Sequence, residues 1–299
     1  MDIPSKVGLQ LHIAHILRGA GVEIDAFEGV ARAMEQSPGI EKSHDIIAIN
    51  DSTLGRLLEG LGIKDYPQSR AMTLFALLQG IPLNEKNIDY LLSKRFKTSI
   101  LYKVIIEKGL LSGYNHEVED LKDSFPTLEN LATFIENIDK NIELAEGQVS
   151  KLFKLLIGDN NLNLENILGD LYSGMLFQLD HKLPFHMMQI PLKVEEDIHP
   201  SEIWMDKDKD IFYLEIILPN LKTIGCLVKD WKTSLTMILY CRPEFQHLIN
   251  NKLKTIKDIL ENLGFKCGSM EVSNIENESG LYTFLLPYDV QYKLVDISI

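Results

Sequence analysis

The stretch Ile211-Phe212-Tyr213-Leu214-Glu215-Ile216-Ile217-Leu218, followed by Pro219-Asn220-Leu221 and a second apolar run at 224–228, decides the fold class. Eight residues with a single charge, bounded by turn formers, are too short for a core helix. They read as a strand buried on both faces. The next apolar run, 235–240, gives a third strand, with Lys229-Asp230-Trp231-Lys232 as the hairpin turn before it. Upstream, Met188, Ile190, Leu192 and Val194 alternate with other residues and predict a strand over 188–194.

After the third strand the period lengthens. Pro243 suits the first turn of a helix. Phe245, Leu248, Ile249, Leu253, Ile256, Ile259, Leu260 and Leu263 then fall on one face of a single long helix across the sheet. Gly264 stands where a left-handed C-cap is needed, and Phe265 can fold back on Leu260. Segments 270–275, 281–286 and 292–299 read as further strands or extended chain.

Toward the N-terminus the pattern is helical throughout. Leu9, Ile13, Ile16 and Leu17 make one stripe, and residues 1–50 read as a helical arm ending in a polar linker. Leu54, Leu57, Leu58 and Leu61 make another, with Gly62 as its cap. Pro67 opens a helix carrying Met72, Phe75, Leu77 and Leu78 that stops at Gly80. Asn84 is placed as an N-cap, with Leu83 and Ile88 at the spacing of a hydrophobic staple. Helical stripes continue through Ile100, Val104 and Ile105, restart at Pro126-Thr127, and run on to about residue 180. The fold class is therefore α+β: an arm over 1–50, a helical region over 51–183, and from Pro184 a small α+β domain with a mixed sheet and one long helix.

Composition narrows the function. A formal charge of -13 over 299 residues argues against a protein that grips nucleic acid through phosphates. There is no run of about 18 apolar residues and no basic-then-apolar leader, so the expectation is a cytoplasmic protein without a membrane span. Cys226, Cys241 and Cys267 are odd in number and widely spaced, which fits reduced thiols packed as small hydrophobes.

Groups that could carry chemistry each have a plainer reading. Asp206-Lys207-Asp208-Lys209-Asp210 alternates carboxylates like the start of a calcium loop. Ile211 stands at the glycine position and Ile217 at the closing glutamate, so a solvated hairpin tip between Trp204 and Phe212 is the better reading. His12 and His15 are three apart without the acid of a zinc-protease motif, and His181 and His186 flank Pro184 in a turn. All four read as structural or surface residues. Gly60-x-Gly62 lies between helices and has no phosphate-binding meaning. Asp296 reads as a solvent-facing edge residue in an apolar strand. No catalytic residue, cofactor site or metal site is expected, and the chain reads as a binding protein.

From Ile211 to Ile299 the chain resembles the C-terminal domain of the flagellar hook-length control family (FliK-like proteins). The residues that carry the likeness are Ile216-Ile217-Leu218-Pro219-Asn220-Leu221, Ile224-Gly225-Cys226-Leu227-Val228 and Leu235-Thr236-Met237-Ile238-Leu239-Tyr240. Leu253, Ile256, Leu260, Leu263 and Gly264, then Met270-Glu271-Val272 and Leu294-Val295-Asp296-Ile297, extend it. The family glycine after the motif leucine is Lys222 here. A glycine there permits a positive φ, so Lys222 implies a different turn or a drifted function. Residues 1–180 read as folded helices and not as the family's low-complexity ruler segment. The resemblance implies a non-enzymatic function in flagellar type III export: binding the cytoplasmic domain of the export-gate protein FlhB to switch export specificity. It also implies passage through the flagellar apparatus as an alternative location. The residues singled out for partner binding are the turn Leu218, Pro219, Asn220 and Leu221, together with exposed sheet edges. The alternative function is a helical adaptor or scaffold unrelated to flagella, binding through 51–96.

Overall fold

The computed structural model describes residues 46–47, 51–79, 81, 83–107, 119, 122–123, 125–127, 130–137, 183–288 and 292–293. The expected elements over 1–45 and 141–180, with His12, His15, His181 and Asp296, lie outside the described residues. The chain divides into two compact units, one of residues 1–92 and 281–299, the other running from Ser93 to Gly280. The division falls at Ser93, far upstream of the composition change at Pro184.

In the first unit, helices α1 (Asp51–Gly60), α2 (Pro67–Gln79) and α3 (Glu85–Lys94, whose last two residues belong to the second unit) follow the expected boundaries closely. Leu54, Leu57 and Leu58 of α1 are fully buried. Gly62, at φ 70°, ends α1 as predicted, and the Ile63 amide bonds back to Leu58 O at 2.9 Å. The Asn84 cap is present: the Asn87 amide donates to Asn84 Oδ1 at 2.8 Å. Leu83 and Ile88, the staple pair, are both fully buried. Two expectations fail here. The 281–286 run forms helix α8 (Gly280–Leu285) and not a strand, because a short apolar run carries no periodicity that separates a buried strand from a buried helical turn. Within the stretch read as a polar linker, β1 (Ile46–Ile47) pairs antiparallel with β10 (Tyr292–Lys293).

The second unit is built on a six-stranded sheet in the order β2-β5-β6-β7-β8-β9. Its strands are β2 (His186–Gln189), β5 (Ser201–Asp206), β6 (Ile211–Leu218), β7 (Lys222–Lys229), β8 (Leu235–Cys241) and β9 (Cys267–Asn274). All neighbours are antiparallel except β8 and β9, so the α+β reading with a mixed sheet holds. The expected strand over 188–194 is broken at Ile190-Pro191, since proline cannot donate to a ladder. Its second half, β3 (Leu192–Val194), forms a separate hairpin with β4 (Asp197–His199). The β5–β6 hairpin tip is the expected polar turn. Asp206 Oδ1 accepts from the amides of Asp208 at 2.8 Å and Lys209 at 3.1 Å, and Lys232 pairs with Asp210.

Parallel pairing of β8 with β9 demands a crossover, and the 243–263 region supplies it as two helices, α6 (Pro243–Asn250) and α7 (Leu253–Asn262). The single long helix is interrupted at Asn251-Lys252. There the Lys252 amide bonds to Ile249 O at 2.9 Å, a tightened turn, and the Asn251 side chain bonds to His247. Consecutive asparagines compete with helical backbone bonds, and no Gly or Pro announced the break. The C-cap is as predicted. Gly264, at φ 92°, and Phe265 bond to Glu261 O and Leu260 O, each at 3.0 Å, and Phe265 packs with Leu260.

Register places Met188, Ile203, Leu214, Cys226, Leu239 and Val272 in one row across the sheet. On that face two apolar clusters form. One joins Met188, Ile203, Met205, Leu214 and Ile216 to Tyr102 and Ile105 of α4 (Lys97–Glu107), with Leu131 and Phe134 of α5 (Leu131–Glu136) against it. The other joins Val228, Leu235 and Met237 to Ile256 and Leu260 of α7. The helices α6 and α7 lie over the edge strand β9, where there is less sheet to cover them, and neither has a buried residue.

Candidate functional site

On the opposite face, the row beside Met188–Val272 reads Gln189, Glu202, Glu215, Gly225, Tyr240 and Ser273. Glu202 and Glu215 therefore stand directly opposite each other on adjacent strands, at 0% and 7% side-chain exposure. Two like charges so placed repel, and a buried carboxylate without a partner costs several kcal/mol, on the order of 3–5 kcal/mol when a pair is broken. Arg95, which follows α3, resolves the conflict. Its Nη2 donates to Glu202 Oε2 at 2.6 Å and to Glu215 Oε2 at 2.8 Å, and its Nε to Glu202 Oε2 at 2.9 Å.

Neighbouring side chains add further donors to the two glutamates. Gln189 Nε2 donates to Glu202 Oε1 at 3.0 Å and to Lys94 O at 2.9 Å, while Gln189 Oε1 accepts from the Thr98 amide at 3.0 Å. The Tyr213 hydroxyl donates to Glu215 Oε2. Burial works against the charge on Arg95, but Glu202 and Glu215 outweigh it and hold the guanidinium well above its ordinary range. Burial, then Glu215, pushes the Tyr213 phenol far up. These groups face one another, so the cluster fastens the segment after α3 to β2, β5 and β6. A buried, hydrogen-bonded set of this kind fixes a conformation.

The sequence reasoning missed this centre. The available signal was Glu215 inside an otherwise apolar strand, since a charge buried in a sheet requires a partner. What could not be read was the partner's address.

The four turn residues named from the sequence divide. Leu218 packs on the first apolar cluster, Leu221 is half-buried, and Pro219 and Asn220 are exposed at the β6–β7 tip. Lys222 pairs with Leu218 and adopts φ 59°, a left-handed conformation that glycine takes most easily, so the lysine carries the strain of this turn.

The other sheet edge is β9, which has no buried residue and runs beside α7. Leu248, Ile259 and Leu263 expose 51%, 53% and 69% of their surface, an apolar allotment well above that of the rest of the unit.

Described residues line clefts in both units. One of about 500 Å³ lies among Asp51, Arg56, Glu59, Asp65 and Arg70 in the first unit. One of about 270 Å³ in the second is lined by Glu107, Glu119, Asp123, Lys193, Glu196 and Asp197. Among the described residues no group of three His, Cys, Asp or Glu side chains could hold a metal ion. The three cysteines are free, and burial pushes the Cys226 thiol up to about 12, which suits a packing role. Among the same residues no helix is long and apolar enough to cross a membrane.

Comparison with protein-family models, curated proteins and solved structures finds no match to this chain.

Proposed function

We propose that the chain is a non-enzymatic, cytoplasmic protein-binding component of a flagellar type III export system, acting as an export-specificity switch of the hook-length control type. The observation that carries this reading is the order of β6, β7, β8, the α6–α7 crossover and the parallel strand β9, with Lys222 in the left-handed turn conformation at the family glycine position. The partner is the cytoplasmic domain of FlhB. The contact is made by the exposed tip Pro219-Asn220, flanked by Leu218 and Leu221, with the open edge of β9 available for strand addition.

Calorimetric titration of the full chain against the FlhB cytoplasmic domain tests this. Binding at micromolar Kd or tighter is expected. Pro219→Gly combined with Asn220→Lys is expected to weaken it by roughly tenfold, or about 1.4 kcal/mol. Absence of binding at high micromolar concentration overturns the reading.

A further inference from the structure

The two ends of the second unit, Ser93 and Gly280, lie 187 positions apart in sequence, and side chains of one sheet face reach the neighbourhood of both. Near the first end, Arg95 reaches Glu215 Oε2, the same oxygen to which the Tyr213 hydroxyl donates. At the last end, Gly280 lies against the rings of Tyr213 and Tyr240. A Cβ added there would come within 2.7 Å of Tyr240 Cε2 and would overlap the Tyr213 ring. The two rings meet edge-on at 78°, with centroids 6.5 Å apart, so neither can turn aside without disturbing the other. The Tyr213 side chain is also confined from below. Gly225, opposite Glu215, leaves room for the hydroxyl, since a Cβ there would sit 2.7 Å from it. The position of the Tyr213 ring is thus set by its hydroxyl bond at one side and by the Gly280 backbone at the other.

We propose that Arg95, Glu215, Tyr213 and Gly280 form a clamp that couples the first residues of this unit to its last. Arg95 acts as a positioning residue: it holds Glu215, Glu215 holds the Tyr213 hydroxyl, and the ring sets where the chain can pass at Gly280. Displacing the guanidinium frees the Glu215 carboxylate to move away from Glu202, and the tyrosine and the Gly280 backbone move with it.

The test uses the full chain and the Gly280 amide resonance in a ¹H–¹⁵N spectrum. Arg95→Ala is expected to lower the unfolding midpoint and to shift that resonance. Millimolar methylguanidinium, which can reoccupy the vacated site, is expected to restore both, whereas methylammonium at the same concentration does not. If Arg95→Ala fails to fold, Arg95→Lys serves instead, keeping the charge but losing the fork that spans two carboxylates. A Gly280 resonance unmoved in the folded Arg95 variant overturns the clamp. So does full additivity of the midpoint losses in the Arg95→Lys/Gly280→Ala double variant, since coupled residues depart from additivity.

Discussion

Arg70, in the first compact unit, and Arg95, in the second, both present a guanidinium fork to carboxylates. Arg70 donates through Nε to Asp65 Oδ1 and through Nη2 to Asp65 Oδ2, both at 2.7 Å, with Asp51 at 3.8 Å. By bond length it is the equal of Arg95. The surroundings differ: Arg70 and Asp65 expose 28% and 41% of their side chains, Arg95 and Glu202 7% and 0%. At the first site water can replace either partner, so the pair adds little. At the second the two buried glutamates share this one guanidinium, so its loss leaves two facing carboxylates without their cation and is costly. Hydrogen-bond geometry alone does not rank the two sites; solvent access does.

The sharpest way to break that comparison is Arg95→Met. It leaves two facing carboxylates without a cation, and a loss of about 3–5 kcal/mol in urea unfolding is expected. A loss below about 1 kcal/mol would put Arg95 in the class of Arg70. Tyr213→Phe removes one donor from Glu215 and is expected to cost about 1–3 kcal/mol, with the fold retained. Arg70→Met should cost less than about 1 kcal/mol, and that small difference should shrink further in 1 M salt.

The smallest effect is in pH. The Arg70 side chain, by hydrogen bond and by charge, holds the Asp65 carboxyl below the usual Asp value, burial opposing it. A depressed folded value means that the contribution is complete above the unfolded value of about 3.9 and is lost as pH falls through the folded one. Wild type and Arg70→Met should therefore converge in stability on acidification below about pH 4. A gap that widens there would contradict the pairing.

Much of the second unit was legible in advance for local reasons. The both-faces burial of β6, the polar tip after Asp206, the Gly264 cap and the restart of the chain at Pro243 each follow from a few neighbouring residues. In the first unit the same holds for the Asn84 cap and the buried stripe of α1. The misreadings have two causes. The split of 188–194 at Pro191 and the break after Asn250-Asn251 rest on local signals weaker than the apolar spacing around them. The helical turn at Gly280–Leu285 depends on how much core lies against the segment, a quantity not written in the segment itself. The left-handed φ of Lys222 is imposed by the β6–β7 pairing on both sides of the turn and not by its residue type.

Spacing of apolar residues, caps and turn formers determined by themselves that this chain carries helices first and a mixed sheet near its end, because such signals act over one or two turns of backbone. Only the tertiary structure decided where the polar centre lies. Arg95 is 107 residues from Glu202 and 120 from Glu215, and a buried charge takes whichever partner the topology brings to it. The segment after α3 is likewise tied to the sheet by an ion pair that no periodicity announces.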